Sequence, residues 1–103
     1  MSYWIHPDAE LVLGDAAFSF YYAEHANRLI GLAFLAEYER VVELLVENQQ
    51  RGPFLARAAS DLRVCHFDRF PYSVIYGEDS LLGPQIYAVA HQSRQPGYWA
   101  SRA

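Results

Sequence analysis

The stretch "YSVIYGEDSLLGPQIYAVAHQ" (72–92) decides the fold of this chain. Its two outer segments, 72–77 and 85–92, are rich in β-branched and aromatic residues, and the acids, glycine and proline of "EDSLLGP" between them favour a turn. A similar segment, "LRVCHF" (62–67), comes before it, and "DRFP" supplies the turn that joins them. We therefore predict three consecutive strands in an antiparallel meander.

The first half of the chain has the periodicity of two helices. Apolar residues spaced alternately four and three apart mark one face of the first helix, from residue 8 to about 25. These residues are Ala9, Leu13, Ala16, Phe20 and Ala23. Spacings of four and three also mark a second helix, which Asn27 can cap and which Gly52 and Pro53 end. Its apolar residues are Ile30, Phe34, Tyr38, Val41 and Leu45. The short connection predicts an antiparallel helical hairpin.

A further strand is predicted at the N-terminus, over "SYWIH" (2–6), and residues 54–61 are interpreted as a connector. The element order is then β-α-α-β-β-β, an α+β fold in which the helical hairpin packs on a small antiparallel sheet. A chain of 103 residues has room for one compact core, so residues 1–103 are expected to form a single domain.

The charge composition argues against general nucleic-acid binding. The chain contains no lysine, and its 8 arginines face 12 carboxylates, which gives a net charge of −4. Nonspecific binding requires cations that neutralise phosphates. One cysteine excludes an internal disulfide, and neither a signal sequence nor a membrane span is recognisable, so a cytoplasmic protein is expected.

The histidines and the cysteine do not predict a metal site. His66 and His91 lie on candidate strands and could approach each other, whereas Cys65 should point to the opposite face from His66. A zinc site needs three or four converging ligands, so no metal and no cofactor is predicted. Cys65 is interpreted as a buried small residue rather than as a nucleophile.

Several arginines allow two interpretations. Arg63 shares a strand face with Cys65, Arg69 lies in a turn, and Arg94 follows the last strand. Together with the two strand histidines they could line one end of the sheet as a binding surface. Alternatively, they pair with some of the carboxylates, since surface ion pairs are common.

The chain resembles a known family in four segments. They are "HPDAELVLGDAAFSFYYAEH", "AFLAEYERVVELLVENQQRGP", "RFPYSVIY" and "IYAVAHQSRQPGYW". Together with the element order they are similar to the ParE branch of the RelE/ParE toxins of type II toxin-antitoxin systems, over nearly the whole chain. The resemblance implies a plasmid-stabilisation toxin that a cognate antitoxin neutralises in a hetero-oligomer, and operator DNA would be bound only through the antitoxin. No membrane partner is expected.

Two targets divide that superfamily. RelE-like members cut mRNA at the ribosome with strand lysines, arginines and a C-terminal tyrosine, while ParE-like members poison DNA gyrase. In this chain Val64 and His66 stand where the strand lysines would be, and Ser73 and Gln92 replace the two arginines. Only Tyr98 matches the nuclease pattern. Because cleavage must stabilise charge that develops on phosphate, this loss weighs against a nuclease.

We therefore expect a toxin that inhibits gyrase by binding it, without catalysis. One alternative is a ribosome-dependent endoribonuclease that uses His66, Arg94 and Tyr98, and another is a toxin-derived interaction module without toxicity. The antitoxin should occupy a groove between the hairpin and the sheet, lined by apolar residues with arginines at its rim. The residues expected to contact the antitoxin or the target are Arg63, Arg69, His91, Arg94, Tyr98 and Trp99.

Overall fold

The computed structural model describes residues 3–22, 28–55 and 62–92. The elements in chain order are β1 (Trp4–Ile5), α1 (Pro7–Tyr22), α2 (Arg28–Glu47), β2 (Leu62–His66), β3 (Tyr72–Gly77) and β4 (Gln85–His91). The predicted order and the α+β class are confirmed. Asn27, the predicted cap of the second helix, lies outside the described residues.

The sheet has the strand order β1-β4-β3-β2 and is mixed. β2, β3 and β4 form the predicted antiparallel meander, but β1 pairs with β4 in parallel. The expectation of a purely antiparallel sheet is therefore wrong at one edge. β1 has only two paired residues, Trp4 and Ile5, and so short a segment carries no sequence signal for the direction of its partner.

The helical hairpin covers one face of the sheet, and the main core lies between them. The predicted apolar face of α2 is buried there through Phe34, Tyr38, Val41 and Leu45. The Phe34 ring contacts those of Phe67, Phe70 and Tyr72, with centroid distances of 5.4, 5.2 and 5.0 Å. This aromatic cluster fixes the β2–β3 turn against α2.

The other face of the sheet also carries buried apolar residues. They are Leu62, Val64, Ile75, Ala88 and Ala90. Leu55 and Tyr87, both half-buried, pack against this second cluster. β3 and β4 are therefore apolar on both faces, which explains why their sequences show no alternation of polar and apolar residues.

The segment after α2 closes the outer edge of β2. The N–H of Leu55 donates to the carbonyl of Leu62 (2.9 Å), and the N–H of Val64 donates to the carbonyl of Pro53 (3.0 Å). Gly52 makes this approach possible, because a Cβ on it would lie 2.2 Å from the Val64 carbonyl oxygen. Pairing with β2 thus comes from Leu55 of the predicted connector (54–61) and from Pro53 just before it, and residues 56–61 lie outside the described part.

Within the described ranges, neither helix is long and apolar enough to cross a membrane.

Candidate functional site

His66 and Ser73 form a hydrogen-bonded pair on the face of the sheet away from the helices. They are direct neighbours across β2 and β3, and His66 Nδ1 lies 2.5 Å from Ser73 Oγ. Ser73 is buried, whereas His66 is exposed. The bond occupies Nδ1, so Nε2 is the ring nitrogen that can accept or donate a proton toward a ligand. Sequence reasoning selected His66, but it treated Ser73 only as a missing arginine.

His91 lies on the opposite face, so the expectation that the two histidines could approach each other is wrong. Ser73 pairs with Ala90 across β3 and β4, which places His66, Ser73 and Ala90 on one face. His91 pairs with Tyr72, and their rings meet edge to face at 5.1 Å on the helix side. The register of the meander therefore separates the two imidazoles.

Cys65 points away from His66, as predicted, and packs against the core under the helices. Burial raises the pKa of its thiol, and the charges of Arg51 and Arg40 offset this only in part. The thiol is therefore protonated near neutral pH, which does not favour a nucleophile. The described residues contain no group of three or more histidine, cysteine or acidic side chains that could hold a metal ion.

Arg63 is held by its own domain. Its Nε pairs with the Glu78 carboxylate, and one terminal nitrogen donates to the Gly52 carbonyl oxygen at 2.6 Å. Its guanidinium also lies 3.8 Å from the centre of the Phe54 ring. Of the two interpretations of the arginines, pairing with a carboxylate therefore applies to Arg63. Its side chain is only 12% exposed, which argues against a role in target binding.

Arg69 lies at a cleft between α2 and the β2–β3 turn. This cleft has a volume of about 430 Å³ and is lined by Ala33, Ala36, Glu37, Arg40, Asp68 and Arg69. We call it the Arg69 cleft. In the described part of the chain the Arg69 guanidinium makes no ion pair. It is therefore the arginine that best fits the prediction of a contact with a partner.

A buried carboxylate organises the Arg69 cleft. Glu37 accepts a hydrogen bond from Arg40 Nε (2.7 Å) and another from the Arg69 N–H (3.1 Å). Arg40 also reaches Asp68 at 3.0 Å. Burial by itself would raise the pKa of Glu37, but the hydrogen bonds from Arg40 and Arg69 outweigh it and lower the pKa. The spacing of Glu37 and Arg40 is visible in the sequence, whereas their link to the β2–β3 turn depends on tertiary packing.

An exposed apolar strip on α2 leads to the Arg69 cleft. We call it the α2 strip and define it as Leu29, Leu32, Ala33 and Ala36. Leu29 is 71% exposed and Leu32 is 55% exposed. The helical spacing places these residues along one side of α2, and the two alanines leave room for a close approach. Sequence reasoning missed the strip, because its leucines belong to a different side of the helix from the predicted core face.

A second cleft lies between the N-terminal segment and α2, with a volume of about 210 Å³. We call it the Tyr3 cleft. It is lined by Tyr3, Val42, Val46, Glu39 and Glu43. The hydroxyl of buried Tyr38 lies 3.5 Å from that of Tyr3, and burial raises the pKa of Tyr38 far above its ordinary value. The phenol therefore stays neutral and ties Tyr3 to the helix.

The predicted partner surface is thus divided. Arg63 is used in internal contacts, Arg69 lines its cleft, and His91 contacts the Tyr72 ring edge to face. Across the strands, Arg63 pairs with Tyr76 and His66 pairs with Ser73. These partners lie at different ends of β3, so Arg63 and His66 do not line one end of the sheet together. The other predicted contact residues, Arg94, Tyr98 and Trp99, lie outside the described residues.

Comparison with known proteins adds no relationship to these sites. A scan of the sequence against models of known protein families gives no match. A search of the curated proteins finds no similar sequence. A function for this chain is therefore inferred from its residues, its fold and the geometry of these sites.

Proposed function

We propose that this chain is a toxin of the RelE/ParE superfamily, of the ParE branch, that a cognate antitoxin neutralises and that acts by binding DNA gyrase. The observation that carries the proposal is the element order β-α-α-β-β-β, with the helical hairpin against one face of the sheet. This is the arrangement that the sequence resemblance implies. The quoted segments "RFPYSVIY" and "IYAVAHQ" contribute β3, β4 and the turns beside them.

The surface chemistry supports binding to a protein. The α2 strip offers exposed leucines, and its two alanines line the cleft of Arg69, whose guanidinium makes no ion pair among the described residues. An amphipathic helix can lay its apolar face along such a strip. Aromatic and arginine side chains beside apolar area are frequent anchors of tight interfaces. We infer that the antitoxin covers the α2 strip and the Arg69 cleft.

The positions of the arginines support a mechanism without catalysis. Arg40 and Arg63 are engaged in ion pairs, and Arg69 lines a cleft on the helix side. His66 lies on the other face. RNA cleavage needs cations placed where charge develops on phosphate, and none of these three arginines shares a face with His66. Poisoning gyrase by binding requires no such arrangement.

Expression in bacteria tests the proposal. The chain is induced alone and together with the product of the neighbouring reading frame, and plasmid topology and mRNA integrity are measured in parallel. Growth arrest that the partner relieves, with altered supercoiling and intact mRNA, is the expected result. Normal growth after induction of the chain alone would instead favour a toxin-derived interaction module.

One observation favours a second candidate, a ribosome-dependent endoribonuclease. The hydrogen bond between His66 Nδ1 and Ser73 Oγ orients the ring, and when Nδ1 carries the proton and donates it to Oγ, Nε2 has the lone pair that a general base needs. Ser73 would then be a positioning residue, Arg94 would supply positive charge, and Tyr98 would be the third residue of the site. This candidate predicts cut mRNA in translating extracts and loss of cutting in the variant His66→Ala.

A further inference from the structure

The outer edge of β1 is an open edge of the sheet. The N–H groups of Trp4 and His6 donate to Pro84 and Ile86 at 3.0 and 2.8 Å, so both point toward β4. Successive residues of a strand point their backbone groups in opposite directions. The N–H and C=O of Ile5 therefore face outward, and in the ranges that the structure describes neither has a hydrogen-bond partner.

The two outer edges of the sheet thus differ. Residues 53–55 pair with β2 and cover its edge, and Phe54 and Arg63 form a bridge there. No described segment does the same for β1. Proteins commonly protect such edges, because unpaired backbone groups recruit an added strand. The edge of β1 therefore has the backbone groups to accept an extended peptide.

The Tyr3 cleft lies beside the start of β1, because Tyr3 directly precedes Trp4. Val42, Val46 and Tyr3 supply its apolar lining, and the exposed residues Glu39 and Glu43 supply its charge. Both glutamates are exposed, and neither makes an ion pair within the described ranges. They lie four residues apart on one helix, where like charges repel each other. A cation between them would remove that repulsion.

We propose that the open β1 edge and the Tyr3 cleft together bind an extended segment of a partner protein, which adds as a strand and places an arginine or lysine side chain in the cleft. The aliphatic stem would lie on Val42 and Val46, and the charged head would meet the two carboxylates. An arginine would also stack on the Tyr3 ring. The partner's segment is thus basic where it meets the Tyr3 cleft. This differs from the sequence prediction, in which arginines of this chain line the rim of a groove between the hairpin and the sheet.

The partner is the antitoxin if the proposed function holds, and the inference rests on that function only for the partner's identity. The surface itself is defined by Tyr3, Ile5, Glu39 and Glu43.

A synthetic peptide tests the surface directly. The probe is a short blocked peptide of alternating valine and threonine with one central arginine, and its binding is followed by NMR shifts of the backbone amides. Shifts are expected at Tyr3–Ile5 and at Val42–Val46. A peptide with citrulline in place of arginine should bind more weakly, because it lacks the charge. Equal binding of the two peptides would overturn the proposal.

Matched variants separate the cleft from general charge effects. Glu43→Gln should weaken binding of the arginine peptide by about two- to fivefold, the range for one exposed ion pair. Asp15→Asn removes one exposed carboxylate from α1 and should leave the affinity unchanged. If both variants weaken binding equally, the cleft is not the site. Both are surface changes, so folding is not at stake.

Backbone pairing is tested on the peptide, which avoids any change at half-buried Ile5. A peptide N-methylated on its pairing side cannot donate to the β1 edge and should lose most of its binding. Unchanged binding would overturn strand addition, as would a self-dimer of this chain through β1 that the peptide does not disperse.

If no peptide binds but a partner gene still relieves toxicity, this inference fails and the proposed function stands. If the peptide binds and induction leaves growth normal, the proposed function fails alone.

Discussion

His66 Nδ1 lies 2.5 Å from Ser73 Oγ, on the sheet face that the helices do not cover. This pair is the one arrangement in the described residues that resembles catalytic machinery. The two candidate functions assign it different roles. In a gyrase-binding toxin the bond only satisfies a buried hydroxyl and orders an exposed ring. In an endoribonuclease it would orient a general base.

The first prediction concerns this pair. His66→Ala should leave growth arrest unchanged, because the proposed mechanism uses no general base. The accompanying loss of stability should be about 0.5–1.5 kcal/mol, the net value of one hydrogen bond. Colony formation after induction is the measurement, with Ser73→Ala as the companion variant. Recovery of growth in both variants, with soluble protein at the level of the original chain, would favour the nuclease.

The second prediction concerns two glycines with opposite surroundings. Gly52→Ala places a Cβ against the Val64 carbonyl and should destabilise the domain by about 1–3 kcal/mol, since backbone must shift. Gly14→Ala meets nothing within 4 Å and should stabilise α1 by about 0.5–1 kcal/mol. Urea unfolding of both variants measures the difference. If Gly52→Ala left the free energy of unfolding unchanged, residues 52–55 would not lie against β2 as described.

The third prediction concerns the buried carboxylate of the Arg69 cleft. Glu37→Gln should cost about 1–2 kcal/mol at neutral pH, because its hydrogen bonds to Arg40 and Arg69 are weakened. Glu39→Gln changes an exposed carboxylate two residues further along α2. It should alter the free energy of unfolding by no more than about 0.5 kcal/mol. The free energy of unfolding of both variants, measured by urea titration, checks this contrast.

The same carboxylate gives a pH dependence of stability. The folded-state pKa of Glu37 is lowered, so its contribution is present above the ordinary carboxyl pKa of about 4.3 and is lost as the pH falls through the folded value. The stability difference between the original chain and Glu37→Gln should therefore shrink below about pH 4.3. A difference that grows on acidification would show that the carboxylate is held in its protonated form.

The fourth prediction concerns the hydroxyl of Tyr76, which joins β3 to the segment that follows α2. It donates to the Gln49 carbonyl at 2.7 Å and accepts from the Gly52 N–H at 3.0 Å. Tyr76→Phe leaves both backbone groups without this partner and should cost about 1–3 kcal/mol. Thermal unfolding measures the loss. An unchanged unfolding midpoint would contradict this role for the Tyr76 hydroxyl.

Much of the fold could be predicted because its signals are local. The face of α2 that carries Phe34, Tyr38, Val41 and Leu45 is buried as its spacing predicts. The strand at 72–77 is observed with the predicted bounds, since turn residues flank a β-branched and aromatic run. The parallel pairing of β1 could not be predicted, because two residues contain no information about the partner strand.

The candidate sites were harder to predict because they depend on register and on distant contacts. The separation of His66 from His91 follows from strand pairing, which includes an irregularity between Ile75 and Tyr76. The Arg69 cleft requires Glu37 of α2 to reach the N–H of Arg69, 32 residues later. Neither relationship has a periodic signature in the sequence. Residue types alone therefore identified Arg69 and His66 but not their surroundings.

Inhibition of gyrase is tested by measuring supercoiling by purified DNA gyrase with and without the purified chain. Supercoiling should fall in proportion to the concentration of the chain, His66→Ala should inhibit equally well, and the cognate antitoxin should restore activity. Unaffected supercoiling by a preparation that still arrests growth, together with cut mRNA in a translating extract, would contradict this inhibition.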